Sequence, residues 1–381
     1  MFALLRFEIF GAGLCEDAKN ALTPDLLPAL YKLSKKHELA HLIADALIKS
    51  GLLPENGEAY KRFSQERSMA IYRREQQQYE YERICQALEE GGISFLPLKG
   101  NEIRKYYSEP WQRTSCDIDI LVPASELERS AEYLNATLGY AVGEKTVNDL
   151  SLFAPSGVHL ELHYDLTECG RFQDGILSDI WRYASPKQEN SHRFVLTNEA
   201  LYFYHIAHMV KHFEDGGCGV RPFLDLFLLN QKAEIDAEKK DELLRKGGFL
   251  TFVRACEKLS RVWFENAQAD DLCRKLESYV LTGGAYGTLQ NRVGLQQAKK
   301  GSKFKYIFSR IFISNKELAL KYPALEKRPY LAPFYHIKRW CKPLTHKKSG
   351  KQSLHELSKT AAVESDTKEE NARLLKELGL Q

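Results

Sequence analysis

The 381 residues carry 44% hydrophobic and 28% charged side chains at a mean hydropathy of -0.41, a composition that excludes disordered, collagenous and membrane classes and suits two or three globular domains. No apolar run approaches the roughly 18 residues of a spanning helix. The opening Met1-Phe-Ala-Leu-Leu-Arg6, with Glu8 close behind, lacks the basic start of a secretory signal, so the expected compartment is the cytoplasm.

The net charge of +3 is uneven along the chain. Residues 292–351 hold sixteen Lys/Arg against two acids, a surplus of +14, which leaves -11 for the remainder. Such a block either meets a polyanion such as RNA or anionic lipid or forms a solvated lysine surface. Eight cysteines are scattered without a C-x-x-C pair, which argues for free, mostly buried thiols over a disulfide framework or a zinc site.

In chain order, residues 26–50 place Leu30, Leu33, Leu39, Ile43 and Leu47 at helical spacing, ended by Gly51 and Pro54. A second helical pattern runs from Glu58 to Glu90 and stops at Gly91-Gly92. Residues 1–90 therefore form an N-terminal helical region.

After Gly92 the texture changes. Short apolar or β-branched runs at 93–97, 118–122, 150–153 and 158–163 predict strands. Residues 124–138 predict a helix with Pro123 at its start and Gly139 after its end. The interleaving over 91–196 makes a small mixed-sheet domain, and the chain as a whole α+β.

Thr197 is a fitting N-cap for the next helix. From there helical patterns follow at 201–213, 220–230, 239–246, 252–264 and 272–281, so 197–345 is expected to be an all-helical domain. Residues 346–381 read as a mobile polar tail, with at most a frayed helix near 371–378.

The chemistry concentrates in Leu98-Lys99-Gly100, Arg113-Thr-Ser-Cys-Asp117-Ile-Asp119-Ile-Leu-Val122 and Val158-His159-Leu-Glu161-Leu-His163. Strand alternation puts Asp117 and Asp119 on one face, with Ile118 and Ile120 on the other, and it aligns His159, Glu161 and His163 likewise. Two adjacent carboxylates repel each other until a hard divalent cation such as Mg²⁺ joins them. An adjacent antiparallel strand is expected to bring Glu161 beside the pair. Three such acids suit two-metal phosphoryl transfer.

In these elements the chain resembles the DNA polymerase β-like nucleotidyltransferase superfamily. It is more closely similar to the uncharacterised nucleotidyltransferase family of bacteria, in which L-K-G, R-x-x-x-D-I-D-x-L-V and E-L-H recur in this order. His208-Met-Val-Lys211-His212 and Arg221-Pro-Phe-Leu-Asp225 extend the likeness into the helical domain, over roughly residues 25–345.

The resemblance implies an Mg²⁺-dependent transfer of NMP from an NTP to an acceptor hydroxyl. Asp117, Asp119 and Glu161 would be the catalytic and metal residues, and Lys99, Gly100, Arg113 and Lys211 the nucleotide contacts. Asn101 follows Gly100 where the superfamily has Ser or Gly, so Lys99 and Arg113 are the expected holders of phosphate charge. Asp225 either contacts substrate or anchors Arg221. Small molecule, sugar, protein side chain and RNA end all remain open as acceptors. The competing class is an inactive nucleotide-, RNA- or membrane-surface-binding module on the same fold.

Overall fold

The computed structural model describes residues 1–53, 55, 57–167, 175–288, 291–292, 313, 315, 318–319, 322, 324–345 and 365–380. Most of the basic block, including its basic-aromatic stretch at 303–312, lies outside the described residues, as do residues 346–364.

The chain begins with helices α1 (Phe2–Phe10), α2 (Glu16–Asn20), α3 (Leu27–Lys36), α4 (Ala40–Lys49) and the 33-residue α5 (Glu58–Glu90). The single helical run expected at 26–50 is broken between α3 and α4, where Glu38 takes a φ of 57°. That backbone turn folds α4 back, and α4 packs along α5. Helix α5 runs unbroken because it holds neither Gly nor Pro, and its end is set by Gly91.

Strand β1 (Leu96–Pro97), helix α6 (Lys99–Arg104), β2 (Asp117–Leu121), α7 (Leu127–Leu138), β3 (Ala141–Lys145), β4 (Asp149–Phe153) and β5 (His159–His163) follow. They build one five-stranded sheet in the order β1-β2-β5-β4-β3. Gly139 caps α7 at φ 73°, a backbone state that costs glycine little. Strands β2 and β5 pair in parallel, with Asp119 opposite Glu161, and the other neighbours pair antiparallel. The antiparallel partner expected for Glu161 is thus corrected. The chain crosses over through α7 and the β3-β4 hairpin before β5 returns beside β2 in the same direction.

A small hairpin, β6 (Ala184–Pro186) with β7 (Phe194–Leu196), leads into α8 (Asn198–Glu214), where the Thr197 side chain accepts from the Ala200 amide. Helices α9 (Arg221–Lys232), α10 (Ala237–Lys246), α11 (Leu250–Glu265) and α12 (Asp271–Gly283) complete the bundle. Further on come α13 (Ala324–Lys327), α14 (Ala332–Thr345) and α15 (Ser365–Glu377). Helix α15 is no frayed tail: Leu374, Leu375, Leu378 and Leu380 are buried, and Lys275 of α12 pairs with Glu377 at 3.0 Å. Among the described residues no helix is long and apolar enough to cross a membrane.

Two large cores result. One face of the sheet presents Ile118, Ile120, Leu150, Leu152, Leu160 and Leu162 to α7 and to the second half of α5. The other core joins α1, α3 and α4 to α8–α12 and to the leucines of α15. Phe2 stacks on Trp263, centroids 4.7 Å apart, and Phe63 meets Tyr31 edge-on. The N-terminal and C-terminal helices, far apart in sequence, therefore share one interior.

Inside that region lies a polar knot. Buried Glu8 accepts from Lys49 Nζ at 2.9 Å and from Gln112 Nε2 at 2.8 Å, and Asp45 pairs with Lys49 at 2.6 Å and with Arg67. Of the six cysteines whose side chains are described, all free, Cys218, Cys256 and Cys273 are buried, whereas Cys15 and Cys116 are exposed.

Candidate active site

The face of the sheet turned away from the α5/α7 core is polar because of the alternation in β2 and β5. Across the strands the rows are Asp117–His159–Phe153, Asp119–Glu161–Ser151 and Leu121–His163–Asp149. Asp119 is almost fully buried, while Asp117 and Glu161 are half-buried. Oxygens of Asp117 and Glu161 and a nitrogen of His159 lie within 4.8 Å of one another, and so do ligand atoms of Asp119, Glu161 and His163. Glu161 belongs to both groups. A hard-oxygen set of three acids with imidazoles at its margin fits a divalent cation.

The electrostatics differ along this row. Burial pushes the Asp117 carboxyl above its ordinary value, and the charges of Asp119 and Glu161 push it further. Burial alone would raise Asp119 too, but the Lys99 charge and a 3.1 Å hydrogen bond from His163 hold it well below the usual range. Glu161 is lowered chiefly by its own hydrogen bond with His163. For His163, burial is outweighed by its bonds to Asp119 and Glu161, and the imidazole is pushed up to about 9. An imidazolium thus stands between two carboxylates.

Lys99 reaches the site through backbone geometry. Strand β1 pairs antiparallel with β2, the Leu98 amide donates to the Asp119 carbonyl at 3.0 Å, and α6 starts at once, leaving Lys99 and Gly100 in its first turn beside Asp119. A methyl group at Gly100 would sit 3.8 Å from Asp119 Oδ2, an ordinary contact, so the fold itself does not demand glycine here. The Lys99 ammonium lies 3.3 and 3.2 Å from the two ring nitrogens of His208, and His208 Nε2 lies 2.8 Å from His212 Nε2. Burial and the Lys99 charge keep His208 far below its ordinary pKa, and the same causes with Lys211 bring His212 down to about 4. Both rings are neutral at pH 7, so His208 can accept from Lys99. Lys211 stands further along α8, where its charge acts on these two histidines.

Arg113 is engaged within the fold. Its Nε and Nη2 donate to the two carboxylate oxygens of Asp225, both at 2.9 Å, and Nη1 donates to the Gly100 carbonyl at 3.1 Å. The guanidinium is buried in this fork, which ties the α6 turn to α9. Asp225 anchors Arg113, with Tyr107 as a further donor at 2.8 Å, while Arg221 turns to the Thr114 carbonyl and to Glu38. Sequence reasoning missed Tyr107 and Arg104, whose Nε donates to the Arg113 carbonyl at 3.0 Å; no motif singles them out.

A mixed sheet carrying D-x-D on one strand, a third acid in register on its parallel neighbour and a lysine at the adjoining helix start defines a protein of the nucleotidyltransferase class. The model of the uncharacterised nucleotidyltransferase family matches residues 26–265, and the chain belongs to that family. Among solved structures, the Thermotoga maritima CCA-adding enzyme complexed with tRNA is similar at 11% identity, over 71% of this chain and 80% of that one, with a TM-score of 0.22. No curated protein matches the chain.

Proposed function

We propose that this protein transfers a nucleotidyl group from an NTP to an acceptor hydroxyl. The observation that supports this best is the register that sets Asp119 opposite Glu161, which gathers three carboxylates on one face of the sheet beside Lys99. Asp117, Asp119 and Glu161 would hold magnesium, which when bound supplies charge neutralisation for the phosphates and acidifies the acceptor hydroxyl.

The chain's own groups have distinct tasks. Glu161 orients the hydroxyl and takes its proton. The new bond forms between the acceptor oxygen and the α-phosphorus, the bond from that phosphorus to the bridging oxygen breaks, and pyrophosphate leaves. Lys99, held by neutral His208, stabilises the charge growing on the departing phosphates. Gly100 offers close backbone approach, and Lys211 supports the positive potential around α8.

The test is calorimetric titration of each NTP, with and without Mg²⁺, into wild type and the Asp117→Ala/Asp119→Ala variant. Metal-dependent binding that the variant loses is the expected result. Absence of NTP binding at millimolar concentration would overturn the reading, and salt-sensitive RNA binding without a metal requirement would replace it with a binding module.

A further inference from the structure

His159 is built into the carboxylate site more firmly than an ordinary strand residue. Its ring stacks on Phe153 with centroids 4.7 Å apart and planes 12° from parallel, and its Nε2 lies 3.1 Å from Ser151 Oγ. Phe153 is itself seated against Gly143, where an added Cβ would come within 2.8 Å of Phe153 Cε2. The room for that stack therefore comes from a glycine on β3. Stacking fixes the plane of the imidazole and the serine fixes its rotation. Partners of this kind orient metal-binding histidines.

The ring faces the right company. One of its nitrogens lies within 4.8 Å of oxygens from both Asp117 and Glu161. Ligands about 2.1 Å from a small cation are roughly 3 to 4 Å apart, so an inward shift on the order of 1 Å closes the set. Magnesium keeps to carboxylate and water ligands, whereas imidazole is a ligand for first-row transition ions, of which manganese(II) is the weakest binder and shares magnesium's liking for carboxylates.

We infer that His159 is a nitrogen ligand at the Asp117–Glu161 end of the site, and that it makes this position prefer a first-row transition-metal ion such as manganese(II) over magnesium. The inference rests on reading the carboxylates as a cation site and adds to it both the fourth side chain and the metal class. Ser151 and Phe153 are then positioning residues, acting on the ion through His159.

The experiment is pulsed electron paramagnetic resonance of Mn²⁺ added to the full-length protein, with calorimetric Mn²⁺ and Mg²⁺ affinities alongside. Wild type should show a ¹⁴N coupling that changes on ¹⁵N-histidine labelling, and should bind Mn²⁺ more tightly than Mg²⁺. In His159→Gln the coupling should vanish and Mn²⁺ affinity should fall about tenfold or more, with Mg²⁺ affinity nearly unchanged and the same melting temperature. Phe153→Leu and Ser151→Ala should weaken Mn²⁺ binding less.

Mn²⁺ bound without nitrogen coupling in wild type, or Mg²⁺ bound as tightly as Mn²⁺, would overturn the inference while leaving the nucleotidyl-transfer reading intact. A coupling that survives His159→Gln and disappears in His163→Gln would place the nitrogen donor at the other end of the row and overturn it equally. A wild type that binds neither ion would remove both this inference and the cation part of the proposed function. Where His159→Gln fails to fold, His163→Gln decides between the two histidines: a coupling that persists in it supports His159, and one that disappears overturns the inference.

Discussion

Asp225 and Asp117 are both acids drawn out of bulk water, and they end in opposite electrostatic states. Asp225, in the helical interior, receives the fork of Arg113 and the hydroxyl of Tyr107; burial would raise its pKa, but the Arg113 charge holds it below the ordinary carboxylate value. Asp117, on the polar sheet face, is pushed the other way by burial and by the charges of Asp119 and Glu161. A buried acid with a matched cation serves as a joint. An acid held against its own kind keeps interaction free energy in reserve for a charge that the chain does not supply.

The sharpest way to break the comparison is at the joint. Asp225→Ala strands a buried guanidinium and should cost about 3–5 kcal/mol, read as a drop in the denaturant midpoint, whereas replacing Arg113 and Asp225 together by Met and Leu should cost much less than either single change. On the sheet the two properties move together at Asp119. Asp119→Ala should lower nucleotidyl transfer about 100-fold or more, measured with α-labelled NTP, and should also lower the melting temperature because it strands the buried His163 imidazolium.

Asp117→Asn should go further and separate the two properties. Removing one of three crowded charges should leave stability unchanged or raise it by about 1 kcal/mol, while transfer is lost.

A different readout, pH, applies to Glu8, a second acid in the helical region, which burial and a hydrogen bond with Asp45 raise to about 7. The folded chain keeps a proton that the unfolded chain releases near pH 4.5. The stability contributed by this group is therefore full below about pH 4.5 and is lost as pH rises through 7. Denaturant midpoints taken between pH 4.5 and 7.5 should show the decline, and Glu8→Gln should flatten it.

Local pattern carried much of this arrangement. The alternation of Asp and Ile in 117–120 assigns the two faces of β2 before any fold is known, and the lack of Gly or Pro from Glu58 to Glu90 marks a helix that the structure reproduces in full. What stayed illegible was direction and partnership. Strand pairing sense depends on the crossover between β2 and β5, which no local pattern encodes. Arg113 looked free because its partner is 112 residues away. The break at Glu38 has no glycine or proline to announce it. The docking of α15 did leave a trace, since Leu374, Leu375 and Leu378 share one helical face.

The shared interior of the first and last helices has a consequence for synthesis. Helices α1, α3 and α4 leave the ribosome within the first 53 residues, but the surfaces that cover them extend to α12, ending at Gly283. At 5–20 residues per second their apolar faces wait on the order of ten to fifty seconds for those partners. The sheet unit emerges during that interval with most of its own core already complete, so it is the part suited to fold first.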